Sequence, residues 1–92
     1  MPTSLESIIG FISANLKHHR VALGWSQERL AHEAHVDRTM VSRIEAQGAN
    51  PSLATLLKLA NALGTPIDSL LKARQMPDKP GLAPGRKPAS LS

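Results

Sequence analysis

Between Ser26 and Glu45 the chain reads SQERLAHEAHVDRTMVSRIE. Arg38, Thr39, Ser42 and Arg43 cluster on one side when the segment after Asp37 advances by roughly 100° per residue, while Val41 and Ile44 point the other way. All four outward side chains can donate hydrogen bonds to base edges or to phosphates, so a short helix carrying them has the chemistry of a major-groove reader. Met40 lies at the edge of that face, where its thioether can meet a thymine methyl. Either arginine can take guanine O6 and N7 with two hydrogen bonds or hold a phosphate.

Five helices are needed to position that face. In the first, Thr3-Ser-Leu-Glu6 resembles a capping box, with Thr3 as cap and Glu6 reaching back. Leu5, Ile8, Ile9, Ile12, Leu16 and Leu23 recur at helical spacing, which predicts a helix to about Ala22, stopped by Gly24. Gly10 sits inside this helix, away from the apolar stripe. Ser26 caps a second helix over about Gln27 to Ala34 that buries Leu30, Ala31 and Ala34. His35 then takes the sharp turn, as a residue type enriched in the left-handed region. Val36 plugs the corner and Asp37 caps the third helix. After a loop from Gln47 to Pro51, Ser52 caps a fourth helix whose buried face is Leu53, Leu56, Leu57, Ala60 and Leu63, ended by Gly64. Thr65 caps the fifth, with Pro66 at its first position and Ile67, Leu70 and Leu71 on its apolar side.

The expected class is therefore all-α. It comprises a compact five-helix domain over residues 3–74 and a proline-rich, basic, disordered tail over 75–92. That tail holds Lys79, Arg86 and Lys87 against Asp78. A chain of 92 residues is one domain at most and buries only about 60% of its unfolded surface, so pairing with a second copy is a natural source of stability. The net charge of +4 and pI near 10.1 suit a polyanionic partner. With no cysteine, disulfides and thiolate metal sites are excluded. His32, Glu33 and His35 do not make the HExxH spacing, so no metal and no cofactor are expected. No nucleophile, base and orienting acid stand at a catalytic spacing, and enzymatic activity is not expected. Short apolar runs and the absence of a signal-like N-terminus point to the cytoplasm, at the nucleoid when bound to DNA. Trp25 reads as a core or corner residue under the second helix. Lys17, His18 and His19 lie near the first helix's C-terminal end, where Lys17 is a candidate phosphate contact.

LKHHRVALGWSQERLA, VDRTMVSRIE and NPSLATLLKLANALGTPIDSLL, over roughly Leu16 to Leu71, resemble the phage-repressor and Cro class of helix-turn-helix proteins, also called the xenobiotic-response-element class. The resemblance implies a lambda-repressor-like bundle whose third helix enters the major groove, with Arg38, Thr39, Ser42 and Arg43 at the recognition positions. It makes Gln27, beside Ser26 at the start of the second helix, similar to a phosphate-clamping glutamine. It makes Arg20 and Glu45 a pair tying the first helix to the end of the third. Two features depart from the class: His35 stands where glycine is common, and the loop glycine, Gly48, comes one residue late. The loop carries no charge, leaving backbone amides or Asn50 for phosphate contacts. In this class the last helix commonly pairs with its own copy, which nominates Ile67, Leu70 and Leu71, with Phe11, for a dimer interface.

The function implied is a sequence-specific, double-stranded DNA-binding transcriptional regulator, Cro-like and prokaryotic, that binds a palindromic operator as a homodimer. An antitoxin that binds a toxin partner through the tail and autoregulates its operon is the alternative. A restriction–modification controller stands close to the first.

Overall fold

The computed structural model describes residues 3–74, and the expected tail over 75–92 lies outside them. The elements are α1 (Leu5–Ala22), α2 (Gln27–Ala34), α3 (Arg38–Glu45), α4 (Leu53–Leu63) and α5 (Asp68–Leu71). α1 packs against α3 and α5, and α2 packs against α3 and α4. Their shared core is Ile12 and Leu16 of α1, Leu30, Ala31 and Ala34 of α2, Val41 and Ile44 of α3, Leu56, Leu59, Ala60 and Leu63 of α4, and Leu70 of α5. No helix among the described residues is long and apolar enough to cross a membrane.

Local chemistry places most of the ends. Ser26 Oγ accepts from the Arg29 amide and Ser52 Oγ from the Thr55 amide, satisfying donors that the first helical turn leaves unpaired. Gly64 takes φ 71°, and the Thr65 amide returns to the Ala60 carbonyl. At the α2–α3 corner His35 is left-handed at φ 57°, and the Val36 amide reaches Ala31. Three caps differ from expectation. Ser4, not Thr3, caps α1: its Oγ accepts from the Ser7 amide, and both hydroxyls bond each other. Asp37 stands at the N-cap position of α3 but makes no side-chain cap bond. α5 forms later than Thr65-Pro66 suggests, through a turn in which the Ser69 amide bonds the Pro66 carbonyl.

The leucine faces are also corrected. Leu53 and Leu57 are 70% and 50% exposed while Leu59, absent from the expected stripe, is fully buried. Leu5 and Leu23 are likewise exposed at 59% and 47%. In a helix as leucine-rich as α4, two apolar stripes compete, and the placement of α2 selects the one containing Leu59.

Gly10 is half-buried rather than turned to solvent, and a Cβ built there meets Gln47 Oε1 at 3.7 Å, an ordinary contact. Gly10→Ala therefore gains helix propensity without a clash, and stability rises by about 1 kcal/mol. For a domain this size that raises the Tm by about 4–8 °C in a thermal melt.

Candidate nucleic-acid interface

α1 carries Ser13 and Arg20 two turns apart on one side, and both attach to Glu45 at the end of α3. Ser13 Oγ donates to the Glu45 carbonyl at 2.6 Å. The Arg20 guanidinium forks onto the carboxylate, Nε to Oε2 at 2.7 Å and Nη2 to Oε1 at 2.9 Å. Its remaining nitrogen, Nη1, donates to the Trp25 carbonyl at 2.7 Å. Burial costs the guanidinium less than the hydrogen bond from Glu45 returns, so its pKa is held above the ordinary arginine value. Gln27 Nε2 donates to Glu45 Oε1 at 3.1 Å. One carboxylate therefore fixes α1, the start of α2 and the end of α3 relative to one another.

That scaffold leaves the outer face of α3 open. Arg38, Thr39 and Arg43 are exposed, and Ser42 is half-buried at its margin. Met40 is half-buried and packs partly against the core, so less of its side chain faces outward than the pattern suggests. Arg43 Nη2 donates to the Gly48 carbonyl at 3.1 Å, tying the outer face of α3 to the following loop. In that loop the left-handed residue is Gln47, at φ 61°, which explains why a glycine one position before Gly48 suits such a turn. Asn50 is exposed beyond it, and Ser26 is exposed at the α2 cap. Lys17 is exposed on α1.

Residues 16–70 match the helix-turn-helix family model. The chain is a member of the helix-turn-helix family. This helix-turn-helix protein is 35% identical over 71 residues to the HTH-type transcriptional regulator SutR of Escherichia coli K12, matching 77% of the chain but 40% of that relative's length. It is 31% identical over 70 residues to the control protein C.SmaI of Serratia marcescens, covering 76% of the chain and 83% of the relative. The crystal structure of a hypothetical transcription factor from Neisseria superposes with a TM-score of 0.72 at 34% identity, over 79% of this chain and 84% of that one. The restriction–modification controller protein C.AhdI of Aeromonas hydrophila superposes at 0.65 and 37% identity, over 67% and 94%.

The α1 stripe conceals two buried polar residues that the periodicity did not flag, Ser13 and Asn15, 2% and 0% exposed. Asn15 Nδ2 donates to the Leu70 and Lys72 carbonyls at 3.0 and 2.8 Å, and its Oδ1 accepts from Arg74 Nε. α5 is a single turn whose last carbonyls lack helical partners, and Asn15 supplies them. The signal for Ser13 is its seven-residue spacing from Arg20; Asn15 stands out only as an amide inside an apolar helix. Leu70 is fully buried in the helix-turn-helix core, so it is withdrawn from the expected dimer interface, whereas Leu71 is 36% exposed and Phe11 and Ile67 are half-buried.

Next to Asn15 on the α5 side, His19 stacks edge-on to His18 with ring centroids 5.3 Å apart. Burial, then the charges of His18, Arg74 and Lys72, push its pKa below the ordinary histidine value. The unfolded chain therefore binds this proton first. Stability is at its plateau above pH of about 6.5, falls as the pH drops from there through the native value, and levels off below it. His19→Gln flattens that part of a urea-denaturation pH profile.

Proposed function

We propose that this protein is a sequence-specific transcriptional regulator that binds double-stranded DNA, inserting α3 into the major groove of a palindromic operator as a homodimer. The observation that carries this is the exposed face of Arg38, Thr39 and Arg43 on a helix braced from behind by the largely buried Arg20–Glu45 ion pair. A rigid rod with donors on its outer side meets the requirement that base contacts be held in place before the duplex arrives. Phosphate contacts flank the rod: Gln27 and Ser26 at the start of α2, Asn50 in the loop and Lys17 on α1. Thr39 and Ser42 add hydroxyls that bond either bases or backbone. The transcriptional regulators and restriction–modification controller proteins to which the chain is similar favour the same function.

For the dimer, Leu71, Ile67 and Phe11 remain available, and Leu53 and Leu57 offer a further exposed apolar face on α4. A two-fold pair sets its recognition helices roughly 34 Å apart, one DNA turn, so half-sites repeat at about 10 base pairs. Selection from a random duplex library followed by sequencing tests this. The expected result is one enriched motif with two-fold symmetry at that spacing, and dimer mass by light scattering at tens of micromolar. Absence of any enriched motif overturns the regulator; an asymmetric motif with monomer mass overturns the homodimer.

A further inference from the structure

We propose that Glu28 is a specificity-determining residue: it competes for Arg38, so that the guanidinium is surrendered to a guanine edge in preference to the phosphates of arbitrary sequence. This rests on α3 being the base-contacting helix. Arg38 opens α3 and Glu28 lies in the first turn of α2, with Nε and Oε2 at 3.9 Å. Their side chains are 63% and 74% exposed, and an ion pair that open adds little to the fold. A second carboxylate, Asp37, precedes Arg38 in the chain, is exposed, and is not used as a cap.

The two arginines of α3 therefore differ in kind. Arg43 rests on a neutral carbonyl, that of Gly48. Arg38 starts beside a negative charge that any nucleic-acid partner must outbid. A phosphate is drawn to the guanidinium mainly by its charge, which Glu28 partly cancels, whereas the neutral guanine edge is held by two directed hydrogen bonds to O6 and N7. Glu28 also repels the backbone wherever the protein lands, most strongly at low salt. Discrimination is a difference between two affinities, and an element that weakens the wrong complex raises it as effectively as one that strengthens the right complex.

The test compares full-length wild type, Glu28→Gln, Glu33→Gln and Arg38→Ala with and without Glu28→Gln, on the selected operator and on a scrambled duplex, by fluorescence anisotropy. Glu33 is the control for net charge: it sits on the same helix but pairs with Arg29 at 2.9 Å. Glu28→Gln is expected to tighten the scrambled duplex about fourfold and leave the operator nearly unchanged, lowering the specificity ratio about fourfold. Glu33→Gln leaves that ratio unchanged, and so does Glu28→Gln once Arg38 is alanine. Equal tightening of both duplexes, the same ratio change from Glu33→Gln, or persistence of the effect without Arg38 overturns the assignment. A wild-type protein that treats both duplexes alike fails earlier, at the regulator itself, and removes both.

Discussion

Glu45→Ala lowers the unfolding free energy by about 3–5 kcal/mol, because it leaves the Arg20 guanidinium buried without its counter-charge. The side chains of Arg20 and Glu45 are 12% and 5% exposed, so solvent replaces the lost bonds only in part. Two forked hydrogen bonds disappear, and Gln27 loses its acceptor in the same step. Only the Trp25 carbonyl remains to Arg20. Urea denaturation measures the loss as a lower midpoint at unchanged slope. Replacing both partners with methionine removes the stranded charge as well, so the double variant is expected to be markedly more stable than Glu45→Ala. A loss under about 1 kcal/mol for Glu45→Ala would show the pair to be solvated like an ordinary surface bridge.

Arg38→Ala combined with Arg43→Ala costs about 2–6 kcal/mol of specific DNA binding, the sum of about 1–3 for each contact. Both side chains are exposed, so the fold tolerates their removal. Arg43→Ala also releases the loop at Gly48, a single exposed bond with a small effect on stability. Anisotropy titrations at several salt concentrations assign the roles of the two residues. An arginine that reads a base relaxes the preference at one position, and one that holds a phosphate lowers the salt slope by about 1 and leaves the preference intact. If the double variant binds the selected operator as wild type does, α3 is not the reading helix.

Those two experiments probe parts of the molecule that differed in how openly the sequence declared them. The outer face of α3 was written in eight residues, since a helix fixes the direction of each side chain by its position alone. The Arg20–Glu45 pair was suggested by family resemblance; its burial and its third partner, Gln27, were not. Ser13 and Asn15 escaped because a polar residue in an apolar stripe reads as a defect until the carbonyls it serves are in place beside it.

Rules that act within one helical turn carried the ends of the elements: Ser26 and Ser52 as caps, Gly64 as a stop, and His35 in the left-handed corner. Each depends on hydrogen bonds that span at most five positions, which the chain order already contains. Asp37 shows the limit of such rules, holding the cap position without making the bond. Which leucines are inside was beyond them. Leu59 and Leu70 are buried, and Leu53 and Leu57 exposed, because the packing of α2 against α4 and of α1 against α5 removes water from one side of each helix. Burial is a property of two surfaces in contact, and a periodic pattern on one of them names several possible faces until the other arrives.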